Sequence, residues 1–260
     1  MKKCYLFSGL FMLATMSIGF VSCGGDDEPD EPDFVVTPSK VTMHYDDQKQ
    51  LTAEGAVSWT TNDEFIADVN QTGLVEAKHV GSTKIVVSNG KRTTYCDVEI
   101  TPKYTLIDIP LLYWGSSRSS IQSAELHPQL GEITNDNILA YNYTLGSTAG
   151  IVMYVFENNK LKSIMALLNK SMYLDAGYYL LERFQPIATG SSTDVYFMDA
   201  MSREKAKTVG MLDYYKLDGT TFTCIFYSDI NILNSSTRGV ANRPEIPAEL
   251  IDGINNYFAK

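Results

Sequence analysis

The side chains best suited to covalent or metal chemistry are few. Three histidines, His44, His79 and His127, are the only imidazoles in the chain. They lie far apart, and neither a His-x-x-x-His nor a Cys-x-x-Cys spacing occurs, so no zinc site is expected. A Gly-x-Ser-x-Gly elbow, a Gly-x-x-x-x-Gly-Lys phosphate loop and an Asp-x-Asp-x-Asp-Gly calcium loop are all missing. The 31 acidic residues allow so many carboxylate pairs that none stands out for glycoside hydrolysis. No catalytic residue, cofactor-binding residue or metal ligand is therefore assigned, and the chain reads as non-catalytic with no cofactor. Aromatic doublets and alternations are the remaining lead: Tyr113-Trp114, Tyr141 with Tyr143, Tyr178-Tyr179 and Tyr214-Tyr215. Exposed aromatic faces can stack sugars or bind a partner protein, whereas buried ones fill a core. Tyr113, Trp114, Tyr214 and Tyr215 are the candidate ligand contacts. Adjacent residues of a strand point to opposite sides, so Tyr214 or Tyr215 should be exposed if that strand has one wet face.

The N-terminus carries the other chemical candidate, Cys23. Lys2 and Lys3 precede an apolar run from about Tyr5 to Phe20, which ends at Phe20-Val21-Ser22-Cys23-Gly24. A basic start, a short hydrophobic core and small residues at the break make an export signal, residues 1–22. The run falls short of the ~20 residues of a membrane span. Its end resembles the lipobox of bacterial lipoproteins, with Phe20 and Ser22 where that pattern has Leu and Gly or Ala. The resemblance implies acylation (palmitate or a similar chain) of Cys23 as the mature N-terminus and attachment to the outer membrane. Residues 23–34 follow as a tether, and positions 26–33 hold only Asp, Glu and Pro. Such a stretch has nothing to bury and stays extended. Its acids are similar to the export signal of surface lipoproteins in Bacteroides-type bacteria, which implies display on the cell surface. Multiple acyl chains at ~0.8 kcal/mol per buried methylene suffice to hold a protein on a membrane.

Net charge is −10, and removing Lys2 and Lys3 makes it more negative. Nucleic acid is excluded as a partner, because affinity there comes mostly from Lys and Arg against phosphate. Length favours two domains. Cys96 alternates with Val98 and Ile100, and Cys224 with Phe222 and Phe226, so each is expected in a core.

Residues 35–102 show short β-rich runs separated by turn residues: Val41–Tyr45, Gln50–Ala53, Val57–Thr60, Ile66–Val69, Leu74–Ala77, Lys84–Val87 and Tyr95–Ile100. This spacing predicts an all-β sandwich. Val41, Leu51, Trp59, the Val69 to Val75 hairpin, Gly81-Ser82-Thr83 and Cys96-x-Val98 resemble the group 2 bacterial immunoglobulin-like domain. The resemblance implies a spacer that projects another module, although some such domains bind ligands.

Residues 103–260 read as an α+β domain. A linker or first strand, Tyr104–Ile109, precedes a helix to Leu126 capped by Ser116 or Ser117. Strands follow at 138–144, 151–156 and 161–168, the last two joined at Asn158-Asn159. A second helix from about Ser171 to Phe184 puts Leu174, Tyr178, Leu181 and Phe184 on one face and stops before Pro186. Three more strands lie near 194–198, 207–216 and 221–229, with Asp218-Gly219 as a hairpin turn. The order is an internal helix-plus-three-strand duplication. It predicts one antiparallel sheet with both helices on one face. A final helix from about Pro247 to Phe258 carries Leu250, Ile251, Ile254, Tyr257 and Phe258 as an apolar stripe, after a loop at 231–243. The architecture resembles that of the β-lactamase inhibitor protein and of outer-membrane assembly lipoproteins, a likeness that brings no functional residue with it.

Two functions fit these features. One is a surface adhesin or binding module with a glycan or protein ligand. The other is a periplasm-facing assembly factor or enzyme inhibitor.

Overall fold

In the computed structural model the described residues are 33–188, 195–231 and 246–259. Cys23, the export signal, the tether to residue 32 and most of the 231–243 loop lie outside them.

Seven strands build the first domain: β1 (Lys40–His44), β2 (Gln48–Gln50), β3 (Ser58–Thr61), β4 (Ala67–Val69), β5 (Leu74–Ala77), β6 (Gly81–Ser88) and β7 (Thr93–Thr101). They form a sandwich of two sheets, ordered β1-β7-β6-β3 and β2-β5-β4, with β1 parallel to β7. Alternate side chains of β1, β6 and β7 turn inward around Trp59, as the period of two requires. The β4–β5 turn is held by Asn70, whose Oδ1 accepts the N–H groups of Thr72 (2.9 Å) and Leu74 (3.0 Å). Gly73 in that turn has φ +81, and a Cβ there would lie 2.7 Å from Leu51 O and 2.9 Å from the Trp59 ring. Only glycine fits.

The second domain contains α1 (Arg118–Ala124), β8 (Ile138–Asn142), β9 (Gly150–Glu157), β10 (Lys160–Asn169), α2 (Tyr173–Leu181), β11 (Gln185–Ala188), β12 (Val195–Met198), β13 (Thr208–Leu217), β14 (Thr220–Asp229) and α3 (Ile251–Phe258). Its sheet is antiparallel in the order β11-β12-β13-β14-β10-β9-β8. Each half runs from an edge inward, and the halves meet where β10 pairs with β14. The turns are those expected: Asn158, Asn159, Asp218 and Gly219 all have positive φ. Ser117 Oγ caps α1 by accepting the Ser120 N–H (3.2 Å). The Tyr104–Ile109 segment is not a strand; Leu106 and Ile107 plug the core instead.

Helices α1 and α2 lie on one face, where Ile121 of α1 and Ala176, Tyr179 and Leu180 of α2 share one cluster. Two expectations need correction. First, α2 buries Ala176, Tyr179 and Leu180 and leaves Leu174 (73%) and Tyr178 (49%) exposed. Asp175, exposed beside Leu174 and Tyr178, is the only charged residue of α2 and marks the wet side, a signal outweighed by the apolar residues around it when the face is read from periodicity. Second, Pro186 does not merely follow the helix but sits in β11, an additional strand at the sheet edge, where its missing N–H costs no ladder bond.

The other face of the sheet is covered as well. A 3-10 turn at Ala248–Leu250 leads into α3, and Leu250 and Ile254 join Ile133 and the inward residues of β8, β9, β10, β13 and β14. Tyr257 Oη donates to Asn142 Oδ1 (2.7 Å) and fixes α3 to the end of β8. Gly253, which in a helix costs roughly 1 kcal/mol against Ala, has a packing reason. A Cβ there would stand 3.0 Å from Glu132 O and 3.1 Å from Ile133 Cγ1. Gly253→Ala is therefore expected to lower the melting temperature despite the better helix propensity; a higher one would contradict this contact.

The connection between the domains is a seam built on Glu182, just past α2 and only 1% exposed. Its carboxylate accepts the N–H groups of Lys103 (2.9 Å) and Tyr104 (3.0 Å), and its carbonyl accepts the Val80 N–H from the sandwich (2.7 Å). Arg183 balances its charge at 3.4 Å. Beside it His79 is stacked on Phe65 (4.0 Å) with Nδ1 2.6 Å from Phe65 O, and burial holds its imidazole below the usual range. Glu182→Gln replaces one acceptor with a donor facing another donor. It is expected to cost about 1–2 kcal/mol in denaturant titration, and to separate the unfolding of the two domains.

Candidate functional site

The sequence-selected aromatics do not converge. Tyr113 and Trp114 lie in the loop before α1, at the start of β13, where the Trp114 indole N–H donates to Thr208 Oγ1 (3.0 Å). Tyr214 lies six residues and Tyr215 seven beyond Thr208 along that strand, roughly 20 Å away at ~3.3 Å per residue. Of the doublet, Tyr214 is exposed (43%) and stacks on Tyr173 of α2 at 4.4 Å. Tyr215 packs against the α3-side core, and its hydroxyl accepts the Ile246 N–H (3.3 Å). Tyr215 is thus a structural residue. Tyr141, Tyr154, Tyr179 and Tyr227 are buried in the helix-to-sheet seam.

Gly115, which follows Tyr113 and Trp114 in the chain, does line a cleft. Gly115 (φ +77) lets the chain turn onto β10, where its N–H donates to Leu161 O (3.1 Å) and Ser116 O accepts the Leu161 N–H (2.9 Å). Since Trp114 is held at β13, this loop reaches from β10 to β13 across the end of β14, which lies between them. Below it opens a cavity of about 420 Å³, lined by Gly115, by Glu157, Lys160 and Lys162 of the β9–β10 hairpin, and by Ser228 and Asp229 of β14. A β-bulge between Leu161 and Ser163 leaves Lys162 unpaired in the ladder, and bulges re-aim side chains in this way. Lys162 Nζ lies 3.7 Å from Glu157 Oε2. Asp229 Oδ1 accepts two hydrogen bonds from Asn231, at 2.9 and 2.8 Å. Arg118 N–H donates to Asn159 Oδ1 (3.1 Å), tying α1 to the hairpin. The cleft offers donors and acceptors side by side, a hydroxyl-binding surface rather than a reaction centre. The sequence did not mark this cleft, because its polar residues come from three segments that the β10–β14 pairing brings together.

A second cluster was not foreseen. Glu125, at the end of α1, has its side chain 2% exposed and accepts from Tyr143 Oη (2.6 Å) and Tyr154 Oη (2.5 Å) on one oxygen. Its other oxygen faces His127 Nδ1 (2.7 Å), and His127 Nε2 lies 3.2 Å from Asp108 Oδ2. His127 stacks on Tyr143 at 3.7 Å. Burial pushes both tyrosine hydroxyls well above their ordinary range. Burial also works against the Glu125 carboxylate, but the hydrogen bonds from Tyr143, Tyr154 and His127 outweigh it and hold the group below its ordinary value. With the carboxylate and both hydroxyls enclosed, the cluster anchors the Asp108–Leu111 segment; the Tyr154 hydroxyl also accepts the Leu111 N–H (3.0 Å).

Among the described residues no group of three or more His, Cys, Asp or Glu could hold a metal ion. No described helix is long and apolar enough to cross a membrane. Cys96 and Cys224 are buried in different clusters, and no disulfide joins them.

The model of the bacterial Ig-like domain (group 2) family matches residues 32–98. The N-terminal sandwich is thus an immunoglobulin-like domain of that group, followed by the α+β sheet domain. Among solved structures the chain is similar to the S-layer protein SbsC, domains 5-6. Identity is 12% and the TM-score 0.23, over 76% of this chain and 83% of that one. It is also similar to the surface layer protein SbsC, domains 4-9, at 12% identity and a TM-score of 0.24, over 80% of this chain and 27% of that one. No curated protein sequence matches the chain.

Proposed function

We propose that the protein is a non-catalytic binding module, anchored by lipid at Cys23 to the outer membrane and displayed on the cell surface. The observation that carries this reading is the order of parts along the chain. A short export signal ends on Cys23, a tether of acids and prolines follows, and a group 2 bacterial immunoglobulin-like domain precedes the sheet domain with its polar cleft. The sandwich acts as a spacer, and the Glu182 seam fixes the direction in which it presents the second domain. Attachment has to come from the acyl chains, because a chain of net charge −10 is repelled by an anionic lipid surface. Cys23→Ala is expected to move the protein from the membrane pellet to the soluble fraction; a mutant that still sediments with membranes would contradict the anchor.

A further inference from the structure

We infer that the cleft between the Gly115 loop, the β9–β10 hairpin and the end of β14 binds a neutral saccharide. This rests on the binding-module reading and gives it a ligand class.

Charge is the first discriminator. The lining carries two lysines, Lys160 and Lys162, against two acids, Glu157 and Asp229, and Lys162 is already 3.7 Å from Glu157. A strongly anionic or cationic ligand would therefore meet as much repulsion as attraction, within a protein whose net charge is −10. Apolar surface is the second. Leu161 is the only large apolar side chain among the lining residues, too little apolar surface to hold an acyl chain. Hydrogen bonding is the third. Ammonium groups donate only, ionised carboxylates accept only, and the hydroxyls of Ser163 and Ser228, partners in register across the β10–β14 pair, do both. A ligand whose every polar group is itself donor and acceptor can satisfy all of them, and vicinal sugar hydroxyls have that property. An approachable backbone at Gly115, with an exposed aromatic two residues away, completes the match. Tyr113, 56% exposed, stands two residues from Gly115, and nothing lies within 4 Å of where a Gly115 Cβ would be, so a ligand can approach the backbone there. An exposed tyrosine face stacks on the C–H face of a pyranose and leaves its hydroxyls to the polar wall. The volume, about 420 Å³, lies in the range of small-ligand clefts.

The test uses the mature chain carrying Cys23→Ala, run in native gels containing one polysaccharide each. The neutral probes are an α-glucan, a mixed-linkage β-glucan, xylan and galactomannan; the anionic probes are polygalacturonate and a sulfated glycosaminoglycan. Retardation by at least one neutral polymer and by neither anionic one is expected. Calorimetry with the matching hexasaccharide should then show Tyr113→Ala and Lys160→Ala each weakening binding at least tenfold. Their melting temperatures should be unchanged, and Leu174→Ala, on exposed α2, should bind like the parent. No retardation by any neutral polymer, or binding untouched by the two cleft substitutions, would overturn the inference. If the same substitutions abolish binding of a peptide or an anionic polymer instead, the saccharide class falls and the binding-module reading stands. Saccharide binding by a protein that never reaches the membrane would do the reverse.

Discussion

Replacing Glu125 with alanine is expected to destabilise the sheet domain by ~3–5 kcal/mol, the range for removing one partner from a buried charged network. The loss removes the shared acceptor of the buried Tyr143 and Tyr154 hydroxyls, which lie 2.8 Å apart and can then make only one O–H donation between them, and takes from His127 its partner at Nδ1. One buried O–H is left without an acceptor, and an unpaired buried polar group costs ~1–3 kcal/mol. Glu125→Gln keeps one acceptor and should cost less. The effect also carries a pH signature. The folded Glu125 carboxyl lies below its ordinary value of 4.5, so the folded state binds its proton less readily than the unfolded state does. Its contribution is present above the unfolded value and is lost as pH falls through the folded one. The stability gap between the parent and Glu125→Gln should therefore be widest above about pH 5 and shrink below about pH 4.5. Urea titrations at a series of pH values read both the size and the trend; a gap that widens on acidification would contradict the assignment.

Trp59→Ala is expected to cost the immunoglobulin-like domain a similar ~3–5 kcal/mol, through lost transfer energy and the cavity left behind. Trp59 is 5% exposed at the centre of its cluster, and Gly73 is shaped around its ring. The chain has two tryptophans, and Trp114 lies in the second domain. In the variant, fluorescence reports the second domain alone while far-ultraviolet dichroism reports both. The dichroism should show an early transition, with the Trp114 midpoint moving far less. Equal movement of both would contradict the division into two domains.

Local rules made much of the fold legible. Asn158-Asn159 and Asp218-Gly219 are turns because those residues tolerate positive φ, Ser117 caps α1, and the apolar stripe of α3 docks as its spacing requires. The rest depended on pairing between distant segments. Within α2 only the single charge of Asp175 marks the Leu174–Tyr178 side as the wet one; the sheet below selects the Ala176–Tyr179–Leu180 side. That α3 covers the opposite face follows from the chain's return past the 131–133 turn, where Gly253 fits. The cleft exists only because Ser163 is in register with Ser228, and the Glu125 network only because Tyr143 and Tyr154 end on the same side of adjacent strands as α1. The aromatic doublets gave an exposed ring at Tyr113 and a core residue at Tyr215 alike, since composition does not distinguish a platform from a filler.

The most direct test of the surface binding module is to label intact cells with an antibody fragment raised against residues 34–259, beside the same cells after outer-membrane permeabilisation. The account predicts equal labelling of intact and permeabilised cells, and loss of labelling from intact cells that carry Cys23→Ala. Labelling that appears only after permeabilisation would place the protein on the periplasmic side and contradict surface display.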